Sequence, residues 1–521
     1  MSSSIKKKDI TLLKELDMAK YKHYDYSQRV LIPVSLDDQL MPGTFEFAIH
    51  TLVEDRIDTT IFDERYRNDE TGRWAYDPKI LLKVVLFAYS RGLISSRKIE
   101  RACKENVTFI SLACGQQPDH STIATFVSSM KGEILPLFRD VLLVCDEMNL
   151  LGGTFFALDG SKLPSNASKE WSGKHADLNR KREKIEKKVE QLLKEQEEAD
   201  KRDDDQGGGS SGLSNRKRQV ERLKRKAERI EKFLKENDPK IGRVGKEVKS
   251  NITDNESANM MTSHGTIQGY NGQALVYKKH QVIVHAEAFG EGQDQHHIPP
   301  MLDGAKENME EMGHGEDYFE DKILVADVNY HGPANLNKCE DEHLDAYIPD
   351  KDFRKRDPRF ATQERWSKKK SKRFTLEEFT HIEATDEYVC PNGKRLKRKV
   401  RKVIMRGIIL RRYMANEADC RDCKLRHRCL MGKKGKVRQL NVPIGHVPGN
   451  LTKEMAQKID TEEGRNIYHQ RIAIVEPVFA NIRSTKRLDR FTLRTKIKVN
   501  IQWVLYCMVH NMEKIANYGF T

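Results

Sequence analysis

The 521-residue sequence has no run approaching the roughly 20 consecutive apolar residues that a bilayer-spanning helix requires, so a helical integral membrane protein is excluded. Hydrophobic residues make up only 38% of the chain and aromatic ones 7%. The first stretch, MSSSIKKKDITLLKELDMAK, has lysines but no apolar signal core or cleavage site, which leads us to expect a cytoplasmic protein. Nine cysteines are an odd number, and four of them gather between positions 390 and 429, so a secreted disulfide framework is excluded in favour of thiols in a reducing compartment. Negative charge is in deficit: the net charge is +14 and the pI about 9.1. Such a surface field favours a polyanion, most commonly nucleic acid, over a membrane.

The length is too great for one ordinary core, and two or three domains are expected. Residues 1–150 read as helical, with amphipathic runs at 77–93 and 121–148, the second opened by a Ser/Thr cap signal. Between them SSRKIERACKEN starts at a serine cap and presents Arg97, Lys98, Arg101 and Lys104, which a helix-turn-helix could offer to phosphates, with a solvated basic face on a helical bundle as the alternative. The strand-like TFFALDGSKL follows, and then two charged helices within 170–240. In the first, Leu178, Arg182, Ile185, Val189 and Leu192 form a seam; in the second, Val220, Leu223, Ala227, Ile230 and Leu234 do. The polar DDDQGGGSSG joins them, so an antiparallel hairpin inserted in a domain is the simplest geometry, with intermolecular pairing as the alternative.

Beyond Pro239, TIQGYNGQALVYK and HQVIVHAEAF predict a β-hairpin, 297–312 a helix, DKILVADVNYHG a strand, 333–343 a helix and DAYIP a short strand. Strands alternating with helices predict an α/β layer fold. Residues 350–450 hold 29 Lys and Arg against 12 Asp and Glu, so this segment alone exceeds the charge of the whole chain. From 452 onwards the pattern is helical, ending in the apolar NIQWVLYCMVHNMEKI.

Asp159 and Asp327 share a setting, each closing an apolar strand-like run and preceding turn-prone residues. Strand ends hold side chains at a sheet's rim, where ligand sites collect, and two carboxylates there can share Mg²⁺, which prefers hard oxygen ligands and substrate phosphates. Asp-Gly after a strand is equally the mark of a turn. Glu476 stands beside a stripe of Ile472, Val475, Phe479 and Ile482, and Pro477 predicts a helix start or kink at that point. Cys390, Cys420, Cys423 and Cys429 include one Cys-x2-Cys pair, a bite suited to tetrahedral Zn²⁺, with unmetallated thiols as the alternative. The basic strand-like residues around them, with Tyr388 and Val400 interleaved, suit a salt-sensitive grip on DNA, to which Trp366 could add a stacking contact.

ALDGSK, VADVNYHG followed by DAYIP, and YHQRIAIVEPVF resemble the catalytic Asp, Asp and Glu contexts of the DDE transposases of bacterial insertion sequences. The helical YDPKILLKVVLFAYSRGLISSRKIERACKENVTFISLACGQQPDHSTIATF and the stretches NITDNESANMM and QGYNGQALV resemble one branch of that family, the likeness extending over most of 40–515. The resemblance implies a ribonuclease H-like catalytic domain over 151–349 and 451–521, with the hairpin of 170–240 and a zinc-binding basic segment of 350–450 as insertions, behind an all-α DNA-binding domain at 1–150. It implies that Asp159, Asp327 and Glu476 hold two Mg²⁺ or Mn²⁺ ions. Tyr468, Arg471 and Arg483 approximate a Tyr, Arg, Glu, Lys pattern whose basic members contact DNA phosphates; four residues separate Arg471 from Glu476 where three are usual, and arginine stands where lysine is common. Asn329 replaces a glycine of the family's DxGY turn and is a residue that tolerates left-handed backbone. The implied function is binding of terminal inverted repeats, then metal-dependent cleavage and strand transfer, on double-stranded transposon ends and target DNA at the nucleoid, by a homodimer. A nuclease of the same fold without strand transfer and a domesticated DNA-binding protein are the alternatives.

Overall fold

The computed structural model describes residues 35–66, 74–203, 211–242, 245–360, 362–363, 373–405, 408–430, 436–443 and 451–518. Trp366 and the lysine-rich residues beside it lie outside them, as does most of the DDDQGGGSSG join.

The chain is mixed α/β with a helical amino-terminal region. That region contains α1 (Phe45–Asp55), α2 (Pro78–Ser90), α3 (Ser96–Glu105), α4 (Val107–Leu112), α5 (His120–Ser128) and α6 (Ile134–Glu147). The run expected as one unit at 121–148 is two helices, parted around Gly132, and the cap is Asp119, whose carboxylate accepts from Ser121 N and Thr122 N. A carboxylate two residues ahead of Ser121 outcompetes the hydroxyls because it accepts both amides at the positive end of the helix.

The main sheet runs β4 (Ala258–Thr262), β5 (Gly265–Tyr277), β1 (Phe155–Pro164), β7 (Ile323–Ala326), β8 (Asp345–Tyr347), with β6 (Ile283–Phe289) also paired to β5. β1, β7 and β8 are parallel; β5 is antiparallel to β1, β4 and β6. Phe155 to Leu158 are buried, as the unbroken apolar run requires of a strand covered on both faces. α9 (Ile298–Glu311) and α10 (Pro333–Asp341) make the connections around β7, and α11 (Leu451–Asp460) and α12 (Glu462–Ala480) return the chain to the sheet.

The apolar carboxy-terminal run forms α13 (Lys496–Tyr518), buried from Ile501 to Met512. It unites the helical region with the sheet: Tyr506 stacks on Tyr89 of α2 at 4.6 Å, and Trp503 Nε1 donates to the carbonyl of Gln273 on β5 at 2.8 Å. Among the described residues no helix is long and apolar enough to cross a membrane.

β2 (Ser172–Gly173) pairs with β3 (Ser250–Asn251) at the base of a helical pair, α7 (His175–Asp203) and α8 (Ser211–Glu236). Leu178, near the start of α7, packs with Ile230 and Phe233, near the end of α8, so the two helices are antiparallel and the seam is used within the chain. A second, antiparallel sheet contains β9 (Thr380–Ile382), β10 (Glu387–Val389), β11 (Arg395–Met405), β12 (Ile408–Ala415) and β13 (Gln439–Pro443), and has its own small core around Tyr388, Leu396 and Tyr413.

Candidate active site

The parallel register pairs Leu158 with Ala326, so the next residues, Asp159 and Asp327, leave adjacent strands at the same level. β7 stops there: Asp327 caps a 3₁₀ turn, Val328–Tyr330, with Tyr330 N donating to its carbonyl and Asn329 Nδ2 to its carboxylate at 3.3 Å. Asn329 is not left-handed; the turn closes in the right-handed form, where its amide finds Asp327. β1 does not stop. Gly160 to Pro164 stay paired with β5, so Asp159-Gly160 is not a turn. The glycine answers to crowding instead: a Cβ at 160 would lie 2.0 Å from Gln273 Nε2 and 2.7 Å from Asn271 Oδ1.

Glu476 lies on α12, which runs unbroken through Pro477 where a start or kink was expected. Proline leaves the carbonyl four residues earlier without its amide partner. Here that carbonyl, of Ala473, accepts from Gln281 Nε2 at 3.0 Å, which removes the reason for a break. The buried stripe of α12 is Ile474, Val475 and Val478, continued by Ile482, whereas Ile472 is exposed, so Glu476 faces solvent beside the stripe. Glu476 and Asp159 line one cleft of about 510 Å³ with Phe479, Arg483 and Asp489. Among the described residues no hydrogen bond or ion pair engages Glu476, and Arg483 is exposed at the cleft.

Arg471, expected on DNA phosphate, is held inside. Its Nη1 donates to Asp159 Oδ2 at 2.7 Å and its Nη2 stands 4.0 Å from Asp327 Oδ1, with the arginine side chain only 12% exposed. Burial raises the Asp159 carboxyl above its ordinary value and Asp327 adds to this, while Arg471 and the Gly160 amide oppose it. Burial works against the guanidinium charge, but Asp159, Tyr468 and Asp327 hold it above its usual value. Tyr468 is buried, its phenol raised by that burial, with its ring edge-on to Phe353 at 5.3 Å. Two carboxylates converging on one buried guanidinium make a site that accepts positive charge, with Arg471 as the stand-in cation. Among the described residues no three His, Cys, Asp or Glu side chains are grouped closely enough to hold a metal ion: the two aspartates meet at Arg471, and Glu476 joins Asp159 only across the cleft.

A buried polar network lies behind these acids that sequence reasoning missed. Asp294 Oδ1 accepts from Asn271 Nδ2 at 2.6 Å and Gln273 Nε2 at 3.0 Å, and Gln273 Oε1 accepts from Tyr330 Oη. Gln273 faces Gly160 across β1 and β5, and Tyr330 belongs to the turn after Asp327, so one carboxylate braces both segments that follow the catalytic candidates. The available signal was Asn271 and Gln273 at i and i+2 just before the apolar run Ala274 to Tyr277, which puts two amides on one face.

The four cysteines line one small cavity with Asn392 and Lys394. Lys394 N lies 3.3 Å from Cys390 Sγ and Asn392 Nδ2 3.4 Å from Cys423 Sγ, in a tight turn closed by Gly393 N to the Cys390 carbonyl. On α3, Arg97, Lys98 and Arg101 are exposed while Ile99 and Cys103 are buried, and Arg101 stands 4.0 Å from Glu105.

Residues 34–129 match the family described as Transposase domain (DUF772), and residues 389–516 match the family described as Transposase DDE domain. These matches class the chain as a DNA-processing enzyme. Together they support a DDE transposase of the insertion-sequence type. The DDE match spans Glu476 and the four cysteines but neither Asp159 nor Asp327. No curated protein matches the sequence.

Proposed function

We propose that the chain binds the ends of an insertion sequence and performs strand cleavage and strand transfer with Asp159, Asp327 and Glu476 as ligands of divalent cations, Mg²⁺ or Mn²⁺. The observation that carries this is the convergence of Asp159 and Asp327 on one guanidinium, beside a cleft that holds Glu476. The strand order β6-β5-β1-β7-β8, with β5 and β6 antiparallel to a parallel β1, β7 and β8, supports a ribonuclease H-like core. On this reading the chain divides into a DNA-binding unit over 1–150, the catalytic core over 151–349 and 451–521, and insertions at 170–240 and 350–450.

Divalent cations held by Asp159, Asp327 and Glu476 would supply activation of a water or 3′-hydroxyl nucleophile and charge neutralisation at the leaving oxygen of a phosphodiester. The protein's own contribution is positional. The two aspartates project from adjoining strands whose backbones are fixed by hydrogen bonding, and Glu476 reaches the same cleft from a helix packed on those strands. Arg483 takes a phosphate oxygen at the cleft, and Arg471, exchanged out of its pair with Asp159, takes another in the bidentate geometry that guanidinium favours. Tyr468, buried beside Arg471, steadies its approach. Arg97, Lys98 and Arg101 hold end DNA by its backbone, and Cys390, Cys420, Cys423 and Cys429, which line one cavity, would hold a structural Zn²⁺ once drawn closer together. Two ends cut in concert call for a homodimer acting at the nucleoid.

The test follows joined as well as nicked products on a supercoiled plasmid carrying the gene and its flanks. Asp327→Ala is expected to abolish nicking and joining while leaving end binding intact. Nicking without joining in the wild type selects the nuclease reading, and binding without nicking the domesticated one.

A further inference from the structure

α7 and α8 share an apolar seam but differ in charge. Over His175–Asp203 nine Lys and Arg balance nine Asp and Glu, whereas over Ser211–Glu236 ten face four. The excess is organised. Arg218, Arg222, Arg225 and Arg229 step by four, three and four, which at about 100° per residue confines them to one narrow stripe, opposite Val220 and Ala227 and about 110° from Ile230. All four arginines are exposed and those three apolar residues are buried.

Helices that merely solvate themselves lace their outer faces with charges of alternating sign. α8 does not: among the described residues only Arg225 of the four meets a carboxylate, Glu221 at 3.7 Å. The stripe lines an open cleft of about 520 Å³ together with Trp171, whose ring has the Arg229 guanidinium at 5.2 Å and Lys181 Nζ at 5.3 Å. Trp171 is fixed by packing with the hairpin core and lies on the segment that leaves β1, the strand of Asp159, so the stripe is anchored to the catalytic sheet at its base.

A row of guanidinium groups bearing one sign of charge and spread over about 17 Å of helix matches a linear polyanion, and spans about five phosphate steps of a DNA strand. We propose that this stripe is a second docking site for duplex DNA, contacting the phosphate backbone away from the carboxylate cleft and reading no sequence. The proposal rests on the transposase reading and adds to it where the bound duplex extends.

The experiment uses the full chain and a labelled random-sequence duplex, with affinity measured by anisotropy across a salt series. Each neutralised phosphate contributes about 0.9 to the slope of log K against log [salt]. The quadruple variant Arg218→Gln, Arg222→Gln, Arg225→Gln, Arg229→Gln is expected to flatten that slope by about 3 to 4. The matching quadruple Arg→Lys variant should keep it, and both should keep the wild-type helical circular dichroism and melting temperature. At saturating DNA the Gln variant should nick the plasmid at the wild-type rate. An unchanged slope in a wild type that nicks DNA overturns the stripe alone, as does loss of slope in the Lys variant. A wild type that neither binds nor nicks duplex DNA overturns the transposase reading and the stripe with it.

Discussion

Replacing Arg471 with glutamine removes the guanidinium that lies between Asp159 and Asp327. The pair it breaks is largely buried, with side-chain exposures of 12% for Arg471 and 25% for Asp159. Taking one partner from a buried ion pair typically costs about 3–5 kcal/mol, since the other charge is left uncompensated. The partial exposure of Asp159 puts the expectation at the lower end, about 3 kcal/mol. In domains of 150–250 residues each kcal/mol moves the midpoint by about 2–4 °C, so the transition containing the main sheet should fall by about 6–12 °C. A divalent cation replaces the lost charge without having to displace a guanidinium. At one hundred times its dissociation constant Mn²⁺ returns about 2.7 kcal/mol, which restores most of the deficit. The wild type must give up its internal pair first and should gain less. Differential scanning fluorimetry of both proteins across a Mn²⁺ series reads all of this. Midpoints within about 2 °C of each other without metal, or equal Mn²⁺ shifts in the two proteins, would refute the view that Arg471 stands in for a cation.

Asp294→Ala leaves the Asn271 and Gln273 amides unpartnered, at a cost of about 1–3 kcal/mol for each stranded donor, and loosens the segments after Asp159 and Asp327. Nicking by the folded variant should fall by about 10- to 100-fold at constant DNA affinity, and an unchanged rate would confine the network to stability. His285 and His510 are buried and neutral, their imidazoles pushed down to about 4 and about 3 by burial. The unfolded chain binds these protons near the ordinary value of 6.5 and the folded chain does not, so stability is lost as pH falls from about 6.5 toward 4. His285 alone accounts for about 3 kcal/mol, and a melting temperature flat across that window would contradict its burial in neutral form. Protein purified from zinc-supplemented cells should carry one zinc per chain by elemental analysis, and a thiol-selective chelator or Cys420→Ser should remove it and lower the first melting transition. Zinc at background would leave the cysteines as plain thiols.

The elements best foreseen were those whose burial is uniform. Phe155 to Leu158 and the run into Asp327 are apolar without interruption, and both form covered parallel strands. The hairpin seam was legible in part: Leu178, Val189, Val220, Ala227 and Ile230 are buried, whereas Arg182, Ile185, Leu192, Leu223 and Leu234 are half-buried. Illegible features depended on contacts between distant segments. Asp-Gly signals a turn unless the strand opposite supplies Asn271 and Gln273 to crowd the position, and local sequence holds no trace of that crowding. Pro477 signals a break unless something else satisfies Ala473, and Gln281 is nearly two hundred residues away. Arg471 could be recognised as a site residue, but its pairing with Asp159 joins positions 312 residues apart, which no local spacing encodes.

Gln281 turns out to be a junction. It sits at φ 59° between β5 and β6, its side chain donates to Ala473 and accepts from Lys514, and its carbonyl accepts from His510. One reversal in a β-hairpin is thereby tied to the helix carrying the glutamate and to the long helix behind the sheet. Genetic screens for inactive alleles should therefore recover lesions at this inconspicuous bend, whose phenotype would mimic damage to the acidic pocket although the bend performs no chemistry.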